Sequence, residues 1–133
     1  MLIKCDFLVI GSGLAGLLSA LRLEKAGKVL LVTKGVLEDG ATEYAQGGIA
    51  VVNDMENDSF EKHIEDTLIA GDGLCNKEVV EIVVKEGPAR VREIIEWGAR
   101  FDKEEDGDYK RGKEGGHSEF RIIHHKDITG WEM

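Results

Sequence analysis

Proline, cysteine and aromatic side chains are scarce in this chain of 133 residues, which has one proline, two cysteines and 6% aromatic residues. Cys5 and Cys75 lie far apart and provide no disulfide framework, so we expect two reduced thiols. No apolar run approaches the roughly 20 residues of a membrane-spanning helix. The opening residues also lack the apolar stretch and cleavage site of a signal peptide. These absences predict a cytoplasmic protein without a membrane partner.

Positive charge is also in short supply, with 17 Lys and Arg against 26 Asp and Glu and a formal net charge of −9. Nucleic acids are bound through clustered Lys and Arg, so this balance argues against a nucleic-acid partner. The first fifty residues are neutral, and the excess of acid lies after them. We therefore expect a buried scaffold or ligand-facing backbone first, followed by helices with solvated acidic faces.

A βαβ unit is predicted at the start of the chain. The apolar run from Asp6 to Ile10 has no alternation, which is typical of a strand buried on both faces of a parallel sheet. Leucines at helical spacing follow to about Ala26, and Gly27 is the expected stop. A second apolar strand, 28–33, completes the unit, whose crossover should be right-handed.

Three glycines between the first strand and the helix form the pattern Gly11-x-Gly13-x-x-Gly16. Gly11 permits a tight turn, Gly13 lets a pyrophosphate approach the backbone, and Gly16 lets the helix pack against the strands. The helix N-terminus adds free N–H groups and a partial positive charge. In this context the pattern predicts a dinucleotide site rather than an ordinary glycine turn. Thr33-Lys34 stands where an acidic residue usually holds a ribose, which argues against an ordinary NAD site.

Beyond the βαβ unit the sequence predicts an ordered loop, helices and a short hairpin. Ser59 and Asn76 are expected N-caps, and Pro88 is expected to begin a helix of its own. His124-His125 does not indicate a metal site, because neighbouring residues on a strand point to opposite faces. The expected elements are a loop over 35–48, a strand over 49–52, a helix over 59–70, helices from 76 and from 88 to 97, a hairpin tip at 104–108, an extended segment over 120–124 and a helix cap at Asp127 or Thr129.

Several longer motifs are shared with one family, namely Gly11–Gly16, Thr33–Gly35, Ala41–Ala50, Glu65–Gly71, Gly73–Cys75, Gly98–Asp102, Glu114–Ser118, Arg121–His124 and Asp127-x-Thr129-Gly130. Together they resemble the FAD-binding start of the L-aspartate oxidase family, which is grouped with the succinate dehydrogenase and fumarate reductase flavoproteins. The resemblance implies an α/β fold: the N-terminal part of a Rossmann-like FAD-binding domain, with a βαβ unit and parallel sheet, helices and a short β-hairpin. Residues 1–133 would form an incomplete domain, with the βαβ unit and flavin loop in 1–52 and a helical and hairpin insertion in 53–133.

The resemblance also implies where FAD is held. Ala41 stands where the membrane-bound relatives carry the histidine that attaches FAD covalently, so we expect noncovalent FAD. The aspartate oxidases often carry serine there, so Ala41 departs slightly from their pattern. The implied cofactor-binding residues are Gly11, Ser12, Gly13, Leu14, Ala15, Gly16, Lys34, Ala41, Thr42, Glu43, Tyr44, Ala45, Gln46, Gly47 and Gly48.

Glu114 and His117 are the implied substrate-binding residues. The Glu114 carboxylate would attract the α-ammonium of L-aspartate and repel a dicarboxylate without an amine, such as succinate. The alternative interpretation is that Glu114 is an ordinary surface acid. The implied reaction is oxidation of L-aspartate to iminoaspartate, with O2 (giving H2O2) or fumarate as acceptor, at the start of quinolinate and NAD biosynthesis. The family's catalytic arginine has no match here, so we assign no catalytic residue. We expect an inactive fragment that contacts the rest of the enzyme or another subunit.

Two alternatives stay open from the sequence. One is a soluble fumarate reductase or succinate-oxidising flavoprotein with noncovalent FAD, against which Glu114 speaks. The other is a non-catalytic FAD-binding module.

Overall fold

The computed structural model describes residues 2–133, and Met1, the first residue of the predicted 1–133 unit, lies outside the described residues. The predicted βαβ unit is confirmed in strand β1 (Phe7–Ile10), helix α1 (Leu14–Leu23) and strand β2 (Val29–Val32). The two strands run parallel. Helix α1 ends earlier than predicted, because the N–H groups of residues 26 and 27 both turn back to the carbonyl of residue 23.

The β1–β2 sheet is exposed on one face, whereas the sequence predicted strands buried on both. Leu8 and Ile10 are 57% and 80% exposed, and they alternate with partly buried neighbours. No other element within residues 2–133 covers this face. The apolar run therefore provides an uncovered hydrophobic surface in this chain.

A second, antiparallel sheet lies later in the chain and takes in the short strand predicted near residue 49. Its strands are β3 (Ile49–Ala50), β4 (Arg111–Gly112) and β5 (Ile122–Ile123), in the order β3-β5-β4. Central strand β5 is fully buried, as its two isoleucines indicate. The predicted hairpin tip is confirmed, since Lys103 pairs with Tyr109 across an acidic turn.

Helices α2 (Phe60–Ala70) and α3 (Lys77–Glu96) pack against each other, and both predicted N-caps are confirmed. The predicted break at Pro88 is wrong, because α3 runs through it as one helix. Proline keeps a helical φ, but it lacks one backbone donor and its ring crowds the carbonyl of Val84, one turn earlier. Burial of Val84 and Val91, one on each side of Pro88, supports the continuous helix.

The hydrophobic core lies between α3 and the second sheet. Val51, Val91, Phe101 and Ile123 are its buried members. A final short helix, α4 (Thr129–Glu132), follows β5, with Ile128 at its N-cap position instead of the predicted Asp127 or Thr129. No helix within residues 2–133 is long and apolar enough to cross a membrane.

Candidate functional site

The glycine turn closes tightly between β1 and α1. Gly11 has φ +106°, a left-handed conformation that favours glycine, and its N–H donates to the Val32 carbonyl at 2.8 Å. A Cβ on Gly16 would overlap the Gly11 carbonyl. Helix α1 can therefore begin directly against the end of the β1–β2 sheet only with these glycines in place.

The N-terminus of α1 is open. Gly13, its N-cap residue, is extended and makes no side-chain cap hydrogen bond. The Leu14 N–H donates to the hydroxyl of Thr42, in the loop after β2, at 3.3 Å. Ser12 is 6% exposed, and its hydroxyl lies 3.0 Å from that of Thr33. The Ser12 side chain is thus engaged by Thr33, directly after β2, which leaves the backbone as the binding surface of the turn.

The two glycines at the end of the 41–48 loop have different surroundings. A Cβ on Gly48 would overlap the backbone carbonyl of Ile123, so strand β5 alone requires glycine at that position. A Cβ on Gly47 would meet nothing within 4 Å. Gly47 therefore leaves its backbone accessible to a ligand.

A cavity of about 340 Å³ lies between the glycine turn and the 41–48 loop. Its lining includes Ser12, Leu14 and Thr42, together with Gly130 and Trp131 of α4. Helix α4 is tied to the loop by the Gly130 N–H, which donates to the Ala45 carbonyl at 2.9 Å. Gly130 was not among the predicted site residues, and the motif Asp127-x-Thr129-Gly130 was the available sequence signal.

Lys34 lies exposed just after β2 and makes no side-chain hydrogen bond or ion pair within residues 2–133. Its ammonium group is therefore available to an anionic ligand next to the glycine turn.

The residues predicted to bind substrate lie in one tight turn. Glu114 is exposed, and its carbonyl accepts the His117 N–H at 3.2 Å. The turn is fixed to helix α2 through Ser118, whose N–H and hydroxyl both donate to Asp66 Oδ2, at 2.7 and 2.8 Å.

This turn and the 41–48 loop lie at opposite ends of the second sheet. The loop leads into β3 and the turn leads towards β5, and these strands are antiparallel, with Ile49 opposite Ile123. The structure therefore brings the glycine turn and the 41–48 loop together, and the turn with Glu114 and His117 lies at the other end of the two-residue β3–β5 pairing.

A buried ionic cluster, which sequence analysis missed, lies beneath the 114–118 turn. Arg121 is fully buried and donates to both oxygens of Asp58, each at 2.8 Å, and to Asp66 at 2.5 Å. Burial alone would raise the pKa of Asp66, but hydrogen bonds from the Ser118 backbone, Arg121 and the Ser118 hydroxyl lower it to about 2. An arginine directly before two buried isoleucines was the available sequence signal.

His63 of α2 lies beside this cluster. It is buried, and its Nδ1 has no hydrogen-bond partner within residues 2–133. Burial lowers the pKa of His63, and the charge of Arg121 lowers it further. This histidine is therefore neutral near pH 7.

The neighbouring histidines His124 and His125 gather around one carboxylate. His124 Nδ1 lies 3.1 Å from Asp102, and His125 Nδ1 lies 4.0 Å from it. The Lys126 backbone N–H and His124 lower the pKa of Asp102. Within the described residues, no three His, Cys, Asp or Glu side chains are grouped to hold a metal ion.

The βαβ unit, the glycine turn and the open helix N-terminus define a dinucleotide-binding protein. The chain belongs to the FAD binding domain family, whose sequence model matches residues 6–131. The predicted cofactor, FAD, is thereby confirmed. The open backbone at Gly13 and Gly47 fits such a group, since neither position carries a side chain where it would approach.

The particular relatives narrow this class. The L-aspartate oxidase of Vibrio cholerae is 50% identical over 135 residues, covering 98% of this chain and 25% of that protein. The chloroplastic L-aspartate oxidase of Arabidopsis thaliana is 49% identical over 128 residues, covering 96% of this chain and 20% of that protein. The predicted resemblance to L-aspartate oxidases is confirmed. The chain spans about a quarter or less of the length of these relatives.

Solved structures confirm the predicted α/β fold. Escherichia coli quinol fumarate reductase matches with a TM-score of 0.91 at 32% identity, covering 98% of this chain and 23% of that chain. The apo Sdh1 complex of Mycobacterium smegmatis matches with a TM-score of 0.88 at 36% identity, covering 96% of this chain and 22% of that chain.

Proposed function

We propose that this chain provides part of the FAD and substrate sites of an L-aspartate oxidase. The observation that carries the proposal is the hydrogen bond from the Leu14 N–H to Thr42, which joins the open helix N-terminus to the 41–48 loop. Relatives named L-aspartate oxidase are about 50% identical over nearly the whole chain, which supports this activity over others in the superfamily.

FAD would be held mainly by backbone and by one cation. The N–H groups at the start of α1 and the positive end of its dipole suit a pyrophosphate. Lys34 adds an exposed positive charge just after β2, and the open backbone at Gly47 suits a flat ring system. Ala41 offers only a methyl group, so the cofactor is bound without a covalent link. When bound, FAD supplies the acceptor for the hydride of the substrate.

The substrate would be selected by the turn that holds Glu114 and His117. The exposed Glu114 carboxylate pairs with the α-ammonium of L-aspartate, and His117 donates a hydrogen bond to a substrate carboxylate. The product is iminoaspartate, and O2, which yields H2O2, or fumarate takes the electrons. We place this reaction at the start of quinolinate and NAD biosynthesis in the cytoplasm. The catalytic acid or base lies outside the residues we assign.

The uncovered face of the first sheet gives this chain a place to contact the rest of the enzyme or another subunit. Leu8 and Ile10 expose apolar surface there that a protein partner would remove from water.

Steady-state kinetics of Glu114→Gln test the substrate assignment, using the polypeptide in the longest form that its gene encodes. Loss of the charge-assisted pair should raise the KM for L-aspartate by about tenfold or more, because such bonds are worth about 1.5–3 kcal/mol. The matched control is Glu105→Gln, an exposed acid without a hydrogen bond or ion pair within residues 2–133. Equal KM values for the wild type and Glu114→Gln would contradict the assignment.

A second candidate is a soluble fumarate reductase or succinate-oxidising enzyme with noncovalent FAD. The TM-score of 0.91 to quinol fumarate reductase favours it. Under this candidate, Glu114→Gln should improve the use of succinate or fumarate, since a repulsive charge is removed.

A further inference from the structure

The Nδ1 atom of His117 faces a group that can only donate hydrogen bonds. It lies 3.2 Å from Nη1 of Arg121. A guanidinium carries no acceptor, so His117 Nδ1 must accept. A neutral imidazole that accepts at one nitrogen carries its proton on the other. The contact therefore assigns the proton of neutral His117 to Nε2.

Arg121 is held too firmly to turn away from this contact. Its side chain has no exposed surface, and Asp58 accepts from Nε and Nη2 while Asp66 accepts from Nη1. Moving the guanidinium would leave two carboxylates without their cation in a buried setting, which is costly. The planar fork of hydrogen bonds therefore fixes the direction in which Nη1 points.

Other charged and titratable groups lie around His117, including Lys113, whose Nζ donates to the Ser118 carbonyl at 2.7 Å. The ring of His63 lies 5.7 Å from that of His117 and is tilted by 58°. His63 is neutral near pH 7, so Arg121 is the cation beside His117 on this side. Asp66 reaches the same turn through Ser118, and Glu114 begins it. Both carboxylates of the cluster, Asp58 and Asp66, form ion pairs with Arg121 rather than with His117.

We propose that Arg121 is a positioning residue that holds His117 as the Nε2–H tautomer, so that the turn presents a neutral N–H donor to a carboxylate of the substrate. His117 Nε2 makes no hydrogen bond within residues 2–133, which leaves it free for this purpose. The identity of the ligand rests on the proposed function, whereas the tautomer rests on the Arg121 contact alone.

The tautomer is measured directly by two-bond 1H–15N correlation spectra at pH 8 on the longest encoded form of the polypeptide, with 15N-labelled histidine. The His117 signals are identified by their absence in His117→Gln. We expect the Nε2–H pattern for His117. An Nδ1–H pattern would overturn the inference.

Two isosteric variants separate a donor at Nε2 from a purely structural role. In His117→Asn the amide oxygen can replace Nδ1 as the acceptor for Arg121, but the Nε2 donor is lost. In His117→Gln the amide nitrogen can reach the Nε2 position, but the acceptor is lost. We expect His117→Asn to raise the KM for L-aspartate about tenfold or more, and at least about fivefold above the KM of His117→Gln.

His117→Asn should have the higher melting temperature of the two variants, because its amide oxygen still accepts a hydrogen bond from Arg121. A lower KM in His117→Asn than in His117→Gln would overturn the donor role.

The inference and the proposed function can fail independently of each other. If L-aspartate does not reduce the wild-type flavin, the proposed function fails and the spectra still decide the tautomer. If L-aspartate reduces it and His117 is the Nδ1–H tautomer, the inference alone fails.

Discussion

Leu14 and Thr42 join the two halves of the cofactor site through one hydrogen bond, from the Leu14 N–H to the Thr42 hydroxyl at 3.3 Å. Leu14 begins helix α1, and Thr42 belongs to a turn closed by the Ala45 N–H on the Thr42 carbonyl. The contact satisfies a helix N-terminal donor that has no partner within the helix. It also sets the position of the 41–48 loop relative to the glycine turn.

Replacing Thr42 by valine removes this hydroxyl and keeps the side-chain shape. We expect FAD to bind about fivefold more weakly, because a hydrogen bond of this kind contributes about 1 kcal/mol. Fluorescence titration with FAD measures the effect. Thr42→Ser, which keeps the hydroxyl, is the control and should bind within about twofold of the wild type. Equal affinities for Thr42→Val and Thr42→Ser would contradict the role of the bond.

Alanine substitutions at Gly13 and Gly16 should separate cofactor binding from folding. A Cβ on Gly16 overlaps the Gly11 carbonyl, so Gly16→Ala should lower the free energy of unfolding by about 1–3 kcal/mol. A Cβ on Gly13 meets only Thr42, at an ordinary 3.7 Å. Gly13→Ala should therefore fold normally and bind FAD at least about tenfold more weakly, because its methyl group occupies the approach to the pyrophosphate.

Urea unfolding and FAD titration on both variants check this pair. Normal FAD affinity in a well-folded Gly13→Ala would refute the placement of the pyrophosphate at the glycine turn.

Asp66 should make stability depend on acid. Its pKa is lowered from 3.8 to about 2 in the folded chain, so the folded state is stabilised above about pH 4 and loses that contribution as the pH falls towards 2. After allowance for solvent screening, the loss amounts to about 1–2 kcal/mol. In Asp66→Asn, the decrease in unfolding free energy between pH 5 and pH 2 should be smaller by that amount.

The control for this titration is Asp127→Asn, which removes an exposed carboxylate that has no hydrogen-bond partner within residues 2–133. Urea unfolding at a series of pH values measures both variants. The same acid dependence in Asp66→Asn as in the wild type would show that Asp66 does not carry it.

Pro88 should weaken helix α3, which runs through it without a break. Pro88→Ala restores a backbone N–H that can donate to the Val84 carbonyl, and it should raise the free energy of unfolding by about 1–2 kcal/mol. Pro88→Gly restores the same donor but frees the backbone, so it should be less stable than Pro88→Ala by about 1 kcal/mol. Thermal or urea unfolding checks both. If Pro88→Ala is no more stable than the wild type, the prediction is wrong, and packing of the proline ring compensates for the lost hydrogen bond.

Local patterns in the sequence were enough to predict the βαβ unit, the glycine turn and the N-caps at Ser59 and Asn76. Each depends on a few neighbouring residues and on one backbone geometry. Pro88 misled because its local preference for a first turn was overridden by burial of Val84 and Val91 on the two sides of it. Tertiary packing of this kind leaves no mark within a short window of sequence.

The ionic cluster and the role of Gly130 depend on residues far apart in the chain. Arg121 meets Asp58 and Asp66 only because the residue before β5 lies against the start of α2 and the segment that leads into it, and Gly130 meets Ala45 only because α4 folds back onto the loop. The assignments of Lys34, the 41–48 loop, Glu114 and His117 stay predictions from the family resemblance. The exposed face of β1 could not be predicted either, because an apolar run does not show which face of a strand other residues of the chain will cover.

The most direct test of the proposed activity is anaerobic mixing of the FAD-loaded polypeptide, in the longest form that its gene encodes, with L-aspartate and separately with succinate. The visible absorbance of the flavin is followed in each mixture. We predict bleaching by L-aspartate and none by succinate. Bleaching by succinate alone, or by neither compound, would contradict the assignment as an L-aspartate oxidase.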